Sequence, residues 1–164
     1  MYAETYTNIV VYVETPFHET QIMFIIPKLR EPDDFGAGYF GASRGKRKHN
    51  GIDPAAEPGA IVGSIVAGVI TKIGYPYGDD LSYRYVEVTT PSGDRVRYFY
   101  VVPTDDCGTF EIGTEIEKCD PLGVVQDIAA RYDTDDKKMN NHFHLEIKRN
   151  GEYLNPTDWL SEQS

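Results

Sequence analysis

Four histidines occur in the chain, and three of them stand in patterns that can do chemistry. His49-Asn50-Gly51-Ile52-Asp53 sets an imidazole four residues before a carboxylate. His142-Phe143-His144 sets two imidazoles two residues apart, in a run from His142 to Arg149 that reads as a strand. On a strand, side chains at i and i+2 share a face, so both imidazoles project together and Phe143 turns to the core. Imidazole nitrogen and carboxylate oxygen suit a borderline cation such as Zn²⁺. A catalytic zinc takes three protein ligands and keeps a position for water. His49, Asp53 and one of His142 and His144 supply such a set, and the remaining histidine is then free to act as a base. Each piece has a simpler reading, His-X-X-X-Asp as a surface ion pair and His-X-His as a solvated or aromatic-packed pair. Both pieces in one β-rich chain favour the metal.

The elements that must position these residues are short strands. Residues 8–13 and 21–27 are rich in β-branched and aromatic side chains. Residues 28–59 carry Gly, Pro and charge, including the run from Arg44 to Lys48, and read as a long loop with a solvated basic stretch. Strands are then expected at 61–66, 69–73, 83–90, 95–102, 109–112, 122–126 and 143–149. Turn signals at Ala67-Gly68, Gly78-Asp79, Pro91-Ser92-Gly93 and Asn150-Gly151 separate them. Asp127 to Tyr132 and Pro156 to Leu160 each suit one or two helical turns. The spacing predicts an all-β domain, an antiparallel sheet or sandwich with little helix.

Composition narrows the function. The 164 residues fit one domain, and 40% hydrophobic residues suffice for a core. Sixteen Lys and Arg against 26 Asp and Glu give a net charge of −10. That excess of negative charge argues against nucleic acid as a partner. No segment approaches the ~20 apolar residues of a membrane span. Met1-Tyr2-Ala3-Glu4 opens with neither a basic nor an apolar region, so no signal peptide is expected. Cys107 and Cys119 flank a hairpin-like stretch and are either a disulfide or two unrelated thiols.

From about residue 35 to residue 160, the chain resembles the lysostaphin-type (LytM-like) zinc endopeptidases that cut peptide cross-links of bacterial peptidoglycan. Phe40-Gly41-Ala42-Ser43-Arg44 resembles their Phe-Gly-X-Arg lead-in, and His49 to Asp53 their His-X-X-X-Asp motif. Pro58 to Val62 and Ala67 to Ile70 are similar to the strand pair that follows. Phe110 to Gly113 and Pro121 to Gly123 look like their late glycine-marked turns. His142-Phe143-His144-Leu145-Glu146 is close to their His-Leu-His-Phe-Glu signature, and Asn155-Pro156-X-X-Trp159-Leu160 to their ending.

The resemblance implies one Zn²⁺ held by His49, Asp53 and His144, with His142 unliganded and assisting the water. The family's further active-site histidine falls at Tyr100, in Tyr98-Phe99-Tyr100-Val101. A neutral phenol still donates a hydrogen bond to an oxyanion, whereas its ordinary pKa of ~10 is poor for shuttling protons near neutral pH. The glycine-rich segment before His-X-His is replaced by the polar stretch 133–141. Residues 35–164 are thus expected to form a metallopeptidase domain, and residues 1–34, without a family match, to add strands packed on it. The expected activity is hydrolysis of peptidoglycan stem or bridge peptides at the cell wall, as in a phage or virion-associated lysin with phage-particle proteins as neighbours. The alternative is a zinc-binding but inactive wall-binding or virion-assembly module.

Overall fold

Strict alternation along three neighbouring strands decides which way the central sheet faces. The computed structural model describes residues 28–103 and 110–162, together with the antiparallel pairing of β1 (Val10–Val11) with β2 (Phe24–Ile25). A hairpin follows, β3 (Ser43–Arg44) with β4 (Arg47–Lys48). Then come β5 (Ile61–Gly63), β6 (Gly68–Gly74), β7 (Tyr85–Thr89), β8 (Arg95–Phe99), β9 (Val101–Pro103), β10 (Glu115–Ile116) and β11 (Pro121–Val125). The short helix α1 (Ala129–Tyr132), β12 (His144–Arg149), β13 (Glu152–Leu154) and α2 (Pro156–Glu162) complete the described chain.

Six strands form an antiparallel sheet in the order β10-β6-β7-β8-β12-β13, and three form a second in the order β5-β11-β9. In the first, Val86, Tyr98 and Leu145 lie side by side, as do Val88, Val96 and Ile147. All six are fully buried. They pack with Val62, Val101, Leu122 and Val125 of the second sheet into one core, which gives the sandwich its interior. The Tyr98 hydroxyl is satisfied there by the Ile65 N–H at 2.9 Å. The opposite face of the large sheet carries the rows Tyr85–Phe99–His144 and Glu87–Arg97–Glu146. The period of two therefore sends apolar side chains inward and leaves the histidine strand's polar side chains on the other face.

The all-β expectation holds, with several local differences. The stretch read as 95–102 breaks at Tyr100, whose φ of +62° no strand accommodates. Of the strand expected at 109–112, residues 110–112 instead lead into a turn at Glu111–Thr114, strand pairing starts at Glu115, and Thr109 lies outside the described residues. β5 stops at Gly63, and β12 begins at His144 rather than His142. The basic stretch from Arg44 to Lys48 is solvated as expected but forms a hairpin rather than a loop. Of the strands expected at 8–13 and 21–27, only the two paired dipeptides are described, and the rest lies outside the described residues. Cys107 also lies outside them, and with it the disulfide expectation.

Candidate metal centre

Two backbone pairings bring the distant motifs together. Ile52 bridges Leu145 and Ala55 bridges His142, so residues 52–55 run antiparallel along 142–145. Gly51 makes the approach feasible. A Cβ there would sit 2.1 Å from the Leu145 carbonyl oxygen and 2.8 Å from Cε1 of His144. The glycine inside His-X-Gly-X-Asp is thus a requirement of backbone contact.

The side chains so placed meet closely. His49 Nε2 lies 3.0 Å from His144 Nδ1 and 3.0 Å from Asp53 Oδ1, and His144 Nδ1 lies 2.7 Å from the same oxygen. Each ring has a partner for its other nitrogen. His49 Nδ1 donates to the Tyr39 carbonyl at 2.8 Å, and His144 Nε2 donates to Glu146 at 3.1 Å. These bonds fix the tautomers. With those nitrogens so occupied, His49 Nε2 and His144 Nδ1 face one another and a carboxylate oxygen, so this point needs a positive charge, either a proton on the rings or a cation between the three atoms. The donor set therefore fits a cation. A tetrahedral Zn²⁺ with bonds of ~2.0–2.1 Å separates its ligand atoms by about 3.3–3.4 Å, so the cluster needs to open by only about half an ångström.

Asp53 is held from behind. Its Oδ2 accepts from Arg30 Nε at 3.0 Å and from Arg44 Nη2 at 3.2 Å, which leaves Oδ1 alone to face the rings. Burial opposes the Asp53 charge, but hydrogen bonds from His144 and His49 outweigh it and hold the pKa well below the usual carboxylate range. Burial likewise opposes charge on His144, yet the bonds to Asp53 and Glu146 push its pKa up to about 9. The carboxylates thus stabilise positive charge at this point.

His142 stands just outside the triad, its Nε2 3.9 Å from Asp53 Oδ1. Its Nδ1 donates to the Asn140 carbonyl at 2.7 Å, so Nε2 is the basic nitrogen. Burial is the main cause that lowers its pKa and keeps the ring neutral. Tyr100 packs its ring against the edge of His142 with centroids 5.8 Å apart, and burial pushes its pKa up to about 12. Both line one open cleft of about 660 Å³ together with His49, Asp53 and His144.

All five residues singled out in the sequence therefore share this cleft. Reading the sequence alone missed Arg30, which is 4% exposed and whose only signal is one charge in a loop. It also missed Tyr77, which bonds to Tyr100, and Tyr132, which bonds to Tyr77. Glu146 was also given no role, although its place two residues beyond His144 on the same strand face is a signal that could have found it.

No family model and no curated protein matches the chain. Among solved structures, the catalytic domain of the antimicrobial peptidase lysostaphin from Staphylococcus simulans matches with a TM-score of 0.58 and 19% identity, over 77% of this chain and 90% of that one. The solution structure of lysostaphin matches at 0.56 and 18%, over 79% of this chain; the chain spans about half of that protein, 51% of it. A point variant of the catalytic domain of the prophage-encoded M23 protein EnpA from Enterococcus faecalis matches at 0.54 and 18%, over 79% and 93%. SpoIIQ in a pore-forming complex with SpoIIIAH matches at 0.52 and 21%, over 68% and 65%. The chain has the lysostaphin-type fold.

Proposed function

We propose that this protein is a zinc metalloendopeptidase that hydrolyses peptide bonds of bacterial peptidoglycan. One observation carries the reading, the convergence of His49 Nε2, His144 Nδ1 and Asp53 Oδ1 within 3.0 Å, each aimed by a fixed partner. These three residues would hold the metal. Bound there, Zn²⁺ supplies a Lewis acid for a carbonyl and lowers the pKa of water towards ~7. His142 offers the free lone pair of Nε2 as the base that takes a proton and returns it to the leaving amine. Tyr100 offers an O–H as a donor to the developing oxyanion, and its raised pKa keeps that proton in place at neutral pH. The likeness to an antimicrobial peptidase supports the peptidase class, and the likeness to a prophage-encoded protein supports a phage-borne wall lysin.

A second reading has an observation of its own. The same fold serves SpoIIQ in a complex with SpoIIIAH, and the resemblance would set Tyr100 where the family carries a histidine. On that reading the cluster binds zinc but serves wall binding or particle assembly. Incubating zinc-loaded protein with a suspension of purified peptidoglycan separates the two. Loss of turbidity that a chelator blocks supports hydrolysis, and co-sedimentation without loss of turbidity supports the binding module.

A further inference from the structure

We propose that Tyr77 is a positioning residue: a one-way chain of phenol hydrogen bonds from Tyr132 through Tyr77 to Tyr100 leaves the Tyr100 proton free to donate into the cleft. The inference rests on the reading of the site as a metallopeptidase with Tyr100 as an oxyanion donor.

A hydroxyl has one proton to give and lone pairs to accept with. Tyr77 donates to the Tyr100 oxygen at 3.1 Å. With its proton spent, Tyr77 can only accept at its second contact, so the 2.9 Å bond to Tyr132 runs from Tyr132 to Tyr77. Tyr100 ends the chain as an acceptor, and among the described residues its own proton has no acceptor. The chain therefore runs from Tyr132 to Tyr100, which lines the same cleft as His142 and the metal cluster.

The surroundings hold the chain in this state. The Tyr100 backbone is clamped on both sides, its N–H on the Arg84 carbonyl and its carbonyl on the Gln126 N–H, each at 2.8 Å. Its φ of +62° breaks β8 from β9 and turns the side chain into the cleft. The Tyr77 ring lies nearly parallel to that of Tyr100, at 10°, with the Arg131 guanidinium 3.8 Å above its centre. Arg131 is itself fixed by Asp79 at 3.1 Å. Aromatic packing alone would not require three hydroxyls in sequence.

The test is a double-mutant cycle on protein carrying one zinc per chain. The readout is binding of phosphinate analogues of tetraglycine and of an alanine-containing stem peptide, whose tetrahedral anionic centre mimics the oxyanion. Affinity is expressed relative to the N-methyl amide counterpart, because unfolded protein lowers both alike. Tyr77→Phe is expected to reduce this ratio about tenfold with zinc content unchanged. Tyr100→Phe should reduce it at least as much, and adding Tyr77→Phe to Tyr100→Phe should change it less than about twofold. If Tyr77→Phe matches wild type, or if the two losses simply multiply, the positioning role is wrong while the metallopeptidase reading stands. If zinc-loaded wild type shows no preference for either phosphinate, both fall together.

Discussion

Ile52 and Leu145 exchange both backbone hydrogen bonds, at 3.0 and 2.8 Å, although 93 positions separate them in the chain. Asp53 follows one and His144 precedes the other, so this single pairing sets the distance between carboxylate and imidazole. The pairing in turn depends on Gly51. Gly51→Ala forces a methyl onto the Leu145 carbonyl and should destabilise the protein by ~1–3 kcal/mol, as overpacking does. Thermal melting with zinc quantitation checks it, and the expected result is a lower midpoint together with a reduced zinc equivalent.

Asp53→Ala should remove the metal and lower the melting temperature for a separate reason. Arg30, almost fully buried, would lose the partner on its Nε but keep Asp33 on Nη1, so the cost should stay below the ~3–5 kcal/mol of a fully uncompensated buried charge. Asp53→Ala protein that retains a full equivalent of zinc would show that the ligand assignment is wrong.

His142 and Tyr100 act on substrate rather than on metal in this account. His142→Ala should keep zinc and lose ~10²–10⁴-fold in turnover. Tyr100→Phe should lose up to ~10²–10³-fold. Tyr100→His should be tolerated, because histidine is among the residues that accept positive φ most readily. Single-turnover rates on zinc-quantified protein distinguish these effects from metal loss.

Both histidine motifs were legible because their spacing is local. The three-residue gap from His49 to Asp53 and the strand period from His142 to Glu146 carry their geometry with them. Arg30 was not legible, since its partner is 23 residues away and only the folded chain brings them together. The break at Tyr100 was hidden for a different reason. The left-handed residue there is a tyrosine, and Tyr-rich runs read as strand. The turn before β10 shifted its strand by a few residues, because Phe110-Glu111-Ile112 has strand composition and Gly113, with φ +97°, supplies the bend.

Acid stability should trace to Asp94, which is not part of the His49–Asp53–His144 cluster. Arg149 donates two hydrogen bonds to it at 2.8 Å and Trp159 one at 3.0 Å, and these hold its pKa below the usual carboxylate value. A depressed folded pKa gives stability that is fully present above the unfolded value of ~3.9 and is lost as pH falls through the folded one. Asp94→Asn should therefore be less stable than wild type at pH 7, and the gap should close as pH falls below about 4. Urea melts of both proteins across that range supply the comparison.

On the proposed function, the His49–Asp53–His144 cluster holds zinc for peptide hydrolysis in the cell wall. Mass analysis of peptides released from purified peptidoglycan tests it most directly, with zinc counted on the same sample. Released peptides with newly freed amino termini are expected, with none after chelation and recovery when Zn²⁺ is restored. Protein carrying one zinc per chain that releases no peptide from peptidoglycan or from a glycine-rich peptide would contradict it.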